Sequence, residues 1–368
     1  MDKHTVPLPP ANSMNERYAR HSLIPGWNQQ QLADAMVVIV GMGALGNEVA
    51  RILAMSGVGR LLLCDPDRIE VSNLSRTILF RASDIGRLKV EAAAEALVLL
   101  NPHLSIEPRS QPLIHGVGLA ELRDASLVIS CLDSRAARLQ LAGRCQLVQA
   151  PCLDGGTHPW GGEVRPFLDP QGGCYGCTLT PEARSVADVP WSCLDTRPDS
   201  PTGSAIPSSA LIGTWMGMIA VRFLLGLPCP SEMLRIDGSR GTTVRIESKR
   251  DPECPLHRPI DTVTKINVTA QDPILKLRQA LPPSAVPYAW QPVQQRLECI
   301  HCGFREHRWG VPAIEPCPQC QTPLRPRTTL ELDQVPDQLT LSQLGIPPQE
   351  ILTVKIQEAW QWFELAGH

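Results

Sequence analysis

The sequence predicts an α/β fold, a mostly parallel sheet with flanking helices, and three observations carry that expectation. Short apolar runs alternate with segments of helical length and composition, the pattern of strands buried on both faces. A glycine-rich turn follows the first of those runs, and an aspartate ends the second. Taken in order, residues 1–35 read as an N-terminal arm with short helices. Met36–Val40 is a buried strand ending at Gly41, Ala44–Ser56 is helical, and Arg60–Cys64 is a second strand closed by Asp65. Residues 87–100 are rich in Ala, Leu and Glu and form a helix that Asn101-Pro102 stops. A third strand at 127–131, a helix at 135–145 and a short strand at 147–150 follow. Beyond Gly155-Gly156 the chain turns to glycine- and proline-rich loops. An apolar helix at 209–225 comes next, with Ser208 or Ser209 as its cap, and then a strand at 242–247. Residues 341–352 and 353–365 fit strands or helices equally.

At 368 residues the chain accommodates one large domain and a smaller appendage. The expected division is an arm at 1–35, a nucleotide-binding domain at 36–258 and a C-terminal region at 259–368. Apolar residues make up 43% and charged residues 19%, ordinary values for a globular protein. A net charge of -3 argues against a nucleic-acid binder working through bulk positive charge. No uninterrupted apolar run reaches about 18 residues, so no membrane span is expected, and residues 1–10 carry no secretory pattern. A cytoplasmic location is the expectation.

Gly41-Met42-Gly43-Ala44-Leu45-Gly46 sits where a strand gives way to a helix, the Rossmann-like arrangement. Such glycines allow a tight turn and a close backbone approach to phosphate, and the helix N-terminus favours negative charge. Asp65, at the end of the next strand, is placed to accept hydrogen bonds from ribose hydroxyls. These two features alone suit a nicotinamide dinucleotide as well as ATP. Asn73, Arg76 and Lys89 follow within twenty-five residues of Asp65. A nicotinamide enzyme has no use for that cluster, whereas chemistry at a triphosphate needs its charge.

In this order, Arg17-Tyr18-Ala19-Arg20, the glycine loop, Asp65-Pro66-Asp67, Ser72-Asn73-Leu74-Ser75-Arg76, Gly86-Arg87-Leu88-Lys89 and Leu132-Asp133 resemble the ThiF/MoeB/HesA family of adenylyltransferases. That family belongs to the superfamily of ubiquitin-activating enzymes, and the resemblance spans about residues 17–257. It implies adenylation, by ATP, of the C-terminal glycine of a ubiquitin-like or sulfur-carrier protein ending in Gly-Gly. It implies that Gly41, Gly43, Gly46 and Asp65 hold the nucleotide, that Asn73, Arg76 and Lys89 hold its phosphates, and that Asp133 holds Mg²⁺. Arg20 resembles an arginine that family members supply to the partner's ATP across a homodimer. Ser134 is a departure, because the family carries asparagine there. Cys193, in Pro190-Trp191-Ser192-Cys193 ahead of the apolar helix, resembles the cysteine that takes the acyl group as a thioester before transfer to a conjugating enzyme. The alternative is a sulfur-carrier adenylyltransferase of thiamine or molybdenum-cofactor type, in which the adenylate is the end point.

Thirteen cysteines are present, and their spacing points to metal rather than disulfides. Cys299/Cys302 and Cys317/Cys320, with fourteen residues between the pairs, form a zinc-ribbon pattern at 299–320. By the resemblance, Cys174, Cys177, Cys254 and His257 correspond to the family's structural zinc, with histidine replacing the usual fourth cysteine. Two structural Zn²⁺ sites are therefore expected. The ribbon lies outside the family's minimal plan and reads as a docking module for a protein partner. Cys64, Cys131, Cys145, Cys152 and Cys229 read as packing residues.

Overall fold

In a computed structural model, residues 16–184, 203 and 205–367 are described. They form two compact units, Met1–Pro112 with Leu122–Arg258 in the first, and Leu113–Glu121 with Pro259–His368 in the second.

The first unit is built on an eight-stranded sheet. Its strands are β1 (Met36–Val40), β2 (Arg60–Cys64), β3 (Ser105–Arg109), β4 (Leu127–Ser130), β5 (Cys152–His158), β6 (Gly161–Phe167), β7 (Met233–Asp237) and β8 (Thr242–Ile246). The spatial order is β3-β2-β1-β4-β5-β6-β7-β8. β3 to β5 are parallel along this order, and β5 to β8 form an antiparallel meander. Helices along the same stretch of chain are α1 (Gln29–Asp34), α2 (Ala44–Ser56), α3 (Lys89–Leu100), α4 (Leu113–Gly116), α5 (Leu119–Asp124), α6 (Arg135–Leu147), α7 (Pro181–Arg184) and α8 (Ile206–Leu224). Val37, Ile39, Leu61, Leu63, Leu127 and Ile129 are fully buried, as parallel strands covered on both faces require. Leu53 of α2 and Ile212 and Met216 of α8 share the same core.

Two local expectations change. Residues 147–150 are not a strand: α6 runs to Leu147, and the central strand is β5, carrying Gly155 and Gly156 within it. The apolar helix starts at Ile206 with Ala205 as its N-cap, and neither serine caps it. Ser208 Oγ donates to Pro159 O at 2.7 Å, and Ser209 Oγ donates backward to Ala205 O at 3.2 Å. α8 has the length and mean hydropathy (1.2) of a spanning helix, but half of that window is buried. It packs on α2, β5 and β6 as a core helix.

The second unit holds β9 (Val263–Ile266), α9 (Ile274–Ala280), β10 (Val286–Glu298), β11 (Arg305–Gly310), β12 (Arg325–Glu331), β13 (Ile351–Ile356) and β14 (Ala359–Leu365). The sheet order is β11-β10-β13-β14-β9, with β12 also on β10. Of the stretch that fitted strand or helix equally, 351–365 is a β13–β14 hairpin, and the part before it is a 3₁₀ turn at Ser342–Leu344 followed by a loop. The start of β10 pairs with β13, and its far end pairs with β11 and β12 of the ribbon. Residues 113–121 are structural members of this unit. Gln291 Nε2 donates to Ile114 O at 3.0 Å, His115 Nδ1 donates to Gly345 O at 2.7 Å, and Ala120 N donates to Gln349 O at 3.0 Å. The buried Glu350 carboxylate accepts from Leu119 N at 3.1 Å.

Candidate functional site

The three loop glycines do different jobs. Gly41 has φ +94°, and a Cβ there would lie 2.5 Å from Cys131 O; the turn and the neighbouring β4 demand glycine. A Cβ on Gly46 would overlap Gly41 O, so the close approach of α2 to the turn demands it. Gly43 has ordinary backbone angles (φ -71°, ψ -160°), and a Cβ there would meet nothing within 4 Å. Nothing among the described residues requires glycine at that position. The vacant face of Gly43 is where a phosphate can approach the start of α2, which is also where helix N–H groups are unpaired.

Asp65 stands beside the loop, only 6% exposed. Its Oδ2 accepts from Met42 N at 2.6 Å and its Oδ1 from Asp67 N at 2.8 Å. Burial pushes its carboxyl above the usual value, opposed by the nearby Lys89 ammonium and by the two backbone donors. Lys89 opens α3; its ammonium lies 3.9 Å from Asp65 and 2.7 Å from Asp67 Oδ2. Only 11% of its side chain is exposed, whereas that of Asp67 is 64% exposed. The cation is thus held in place by a solvated acid.

Asn73 and Arg76 lie in a 3₁₀ turn, Val71–Ser75, and its end. Asn73 Oδ1 accepts from Glu70 N at 3.1 Å, a reciprocal box that fixes the turn, and Arg76 Nη1 donates to Ser72 O at 2.6 Å. Both side chains bond within their own turn. Asp133 is exposed just past β4, beside the β1 end that carries Gly41. Ser134 caps α6 by accepting from Ala137 N at 3.2 Å, so serine does there the capping work that asparagine is equally suited to. Arg20 is exposed and has no side-chain hydrogen bond or ion pair among the described residues. Cys193 lies outside the described residues.

Sequence reasoning missed a buried network below Asp133. Asp154 is 2% exposed. It accepts from Ser130 Oγ at 2.6 Å, Arg138 at 3.1 Å and Arg165 at 2.8 Å. Arg138 also donates to Leu132 O through Nε at 3.0 Å and Nη2 at 2.5 Å, gripping the residue before Asp133. The Arg138 and Arg165 guanidiniums sit 5.9 and 5.6 Å from the Tyr175 ring centre. The one available signal was an arginine on what reads as a helix face and an aspartate directly ahead of Gly155-Gly156. The cavity among these residues measures about 10 Å³, room for one water and not for a nucleotide.

The two metal-ligand sets assemble as their spacing predicts. Cys174, Cys177, Cys254 and His257 bring their ligand atoms within 4.8 Å of one another, as do Cys299, Cys302, Cys317 and Cys320. Observed separations are 3.8 Å for Cys174–Cys177 and Cys174–Cys254, 3.0 Å for Cys177–His257 Nε2, 3.4 Å for Cys299–Cys320 and 3.6 Å for Cys302–Cys317. A tetrahedral zinc with sulfur arms of about 2.3 Å places its ligands about 3.8 Å apart. The donor sets fit Zn²⁺ and leave no open position, so their role would be structural. No disulfide joins the cysteines among the described residues.

The model of the ThiF family matches residues 16–256. The molybdopterin-synthase adenylyltransferase of Escherichia coli is 30% identical over 244 residues, covering 65% of this chain and 94% of that protein. The sulfur carrier protein adenylyltransferase of Thermus thermophilus is 31% identical over 251 residues, covering 66% and 90%. Among solved structures, Escherichia coli MccB with ATP aligns with a TM-score of 0.55 at 23% identity, covering 67% of this chain and 76% of that one. That likeness concerns the fold alone. The glycine loop, the Asp65–Lys89 pair and the matched family model agree, and the chain belongs to the ThiF/MoeB family of adenylyltransferases.

Proposed function

We propose that the protein adenylates the C-terminal glycine carboxylate of a ubiquitin-like carrier ending in Gly-Gly. The observation that carries this reading is the vacant face of Gly43 beside the buried Asp65–Lys89 pair. A carboxylate oxygen of the carrier attacks the α-phosphorus of ATP, the bond to the bridging oxygen breaks, and pyrophosphate leaves with that electron pair. The attacking group is already ionised near neutral pH, so no general base is required. Asp65 accepts from the ribose, and Lys89, Arg76 and Asn73 donate to phosphate oxygens, which offsets the charge that builds in the transition state. Mg²⁺, when bound, would offset more of that charge, and the exposed Asp133 carboxylate is the residue to hold it.

Arg20 is assigned to the ATP of a second copy in a homodimer, where an arginine supplied in trans stabilises charge at phosphorus. Its exposure without a bonded partner among the described residues, beside the exposed Leu23 and Ile24, supports that role. The ribbon is assigned to docking of the carrier or of a conjugating enzyme. A thioester on Cys193 would follow by attack of its thiolate on the acyl carbon with loss of AMP. Relatives described as sulfur-carrier adenylyltransferases support as a second reading the shorter course, in which the adenylate is the end point.

Carrier-dependent exchange of pyrophosphate into ATP tests the reading. Arg76→Ala and Asp133→Ala are expected to abolish exchange in folded protein; near-normal exchange in both would overturn the site assignment. A thiol-sensitive carrier adduct absent from Cys193→Ala would select the thioester course. Full product formation by that variant would select the shorter one.

A further inference from the structure

We infer that Asn47 is a positioning residue for the phosphate site, aiming the backbone donors of the glycine loop and tying that loop to the segment bearing Asn73 and Arg76. The inference rests on the adenylation reading and adds to it a residue with no expected contact to substrate.

Asn47 lies in the first turns of α2 and is 0% exposed. Its carboxamide is fully used. Nδ2 donates to Met42 O at 2.9 Å and to Gly43 O at 3.0 Å, while Oδ1 accepts from Leu79 N at 3.1 Å. Only a primary amide offers two donors on one atom and an acceptor on the next in this volume. Aspartate would turn an oxygen toward two carbonyls. An apolar residue would leave Met42 O and Leu79 N buried without these partners.

The direction of these bonds matters more than their number. A trans peptide is planar, with its C=O and the following N–H pointing opposite ways. Pinning Met42 O and Gly43 O to Asn47 therefore turns Gly43 N and Ala44 N away from Asn47, off the start of α2. Met42 N is fixed independently by Asp65 Oδ2 at 2.6 Å. Two buried side chains thus hold the three consecutive peptide groups that precede the helix, the last of them together with the Asn47 backbone N–H, which also donates to Gly43 O at 3.0 Å. The third bond, from Leu79 N, anchors the chain three residues after Arg76. Asn47 is consequently the common support of the two parts of the phosphate site.

The test uses the full chain with Asn47→Ser and Asn47→Asp, probed with ATP and with adenosine by calorimetry. Serine at 47 can still donate to Gly43 O, four residues back, but reaches neither Met42 O nor Leu79 N. Unliganded melting temperature identifies which variants fold, and the smaller serine change provides a folded variant if a buried acid does not. The expected result is ATP affinity lowered about tenfold or more, the equivalent of one or two lost hydrogen bonds to a charged group, with adenosine affinity unchanged. A merely structural role would weaken both ligands together. Unchanged ATP affinity, or equal loss for ATP and adenosine, overturns the inference and leaves the adenylation reading standing. Wild-type protein that binds adenosine no worse than ATP overturns both.

Discussion

The Asp154 carboxylate lies 3.1 Å from the Arg138 guanidinium with 2% of its side chain exposed, and Arg138 in turn grips the carbonyl of Leu132. Removing one partner of a buried pair strands the other's charge. Here Arg138 and Arg165 are 12% and 15% exposed and keep Leu132 O and Glu163 as partners. Asp154→Ala is therefore expected at the low end for a broken buried pair, a loss of about 3 kcal/mol. Urea denaturation measures it, and a loss within experimental error would show that the network contributes nothing.

The loop glycines should separate folding from binding. Gly41→Ala and Gly46→Ala force a Cβ into Cys131 O and Gly41 O, so both should lower the melting temperature sharply. Gly43→Ala meets no atom of the described residues within 4 Å and should melt close to wild type while losing ATP affinity. A Gly43→Ala protein that binds ATP normally would move the phosphates elsewhere.

Asp65 gives a pH signature. Its folded-state value is raised above 3.8, chiefly by burial. Its contribution to stability is therefore full below the unfolded value and declines as pH rises through the folded one. Relative to Asp65→Asn, which does not titrate, wild type should lose stability as pH increases from 3.8 and then level off. Denaturant titrations of both proteins across that range measure the difference; a wild type that gains on the variant would reverse the assigned cause.

Much of this was readable from the chain because strands buried on both faces leave continuous apolar runs. Met36–Val40 and Arg60–Cys64 match the structure residue for residue. β5 escaped because Asp154, Gly155, Gly156 and Thr157 look like a turn; burial beside β4 and β6, not local propensity, makes them a strand. β3 escaped because an edge strand reading Ser-Ile-Glu-Pro-Arg tolerates proline and charge. Arg138 and Asn47 were illegible for a different reason. Each role depends on a partner distant in sequence, Leu79 for Asn47 and Asp154 for Arg138, and no residue pattern announces that a helix arginine or amide points inward.

Metal removal should act unequally. The ribbon core consists of Leu297, Cys299, Cys317 and Leu324 with Phe304 and Cys320 beside it, too little to fold without its ion. Cys302→Ser should lower zinc content from about two ions per chain to about one and leave ATP binding intact. Hydrogen exchange should then rise in β11 and β12; protection retained there without zinc would make the metal dispensable.

The inclusion of residues 113–121 in the second unit bears on how such a chain can be shortened or recombined. A stop after Arg258 would keep the family-matched region yet strip Ile114, His115, Leu119 and Ala120 of Gln291, Gly345, Glu350 and Gln349. A fragment beginning at Pro259 would lack the same piece from the other side. The C-terminal region is thus no detachable cartridge. Exchanging it means transplanting two stretches of sequence, 113–121 and 259–368.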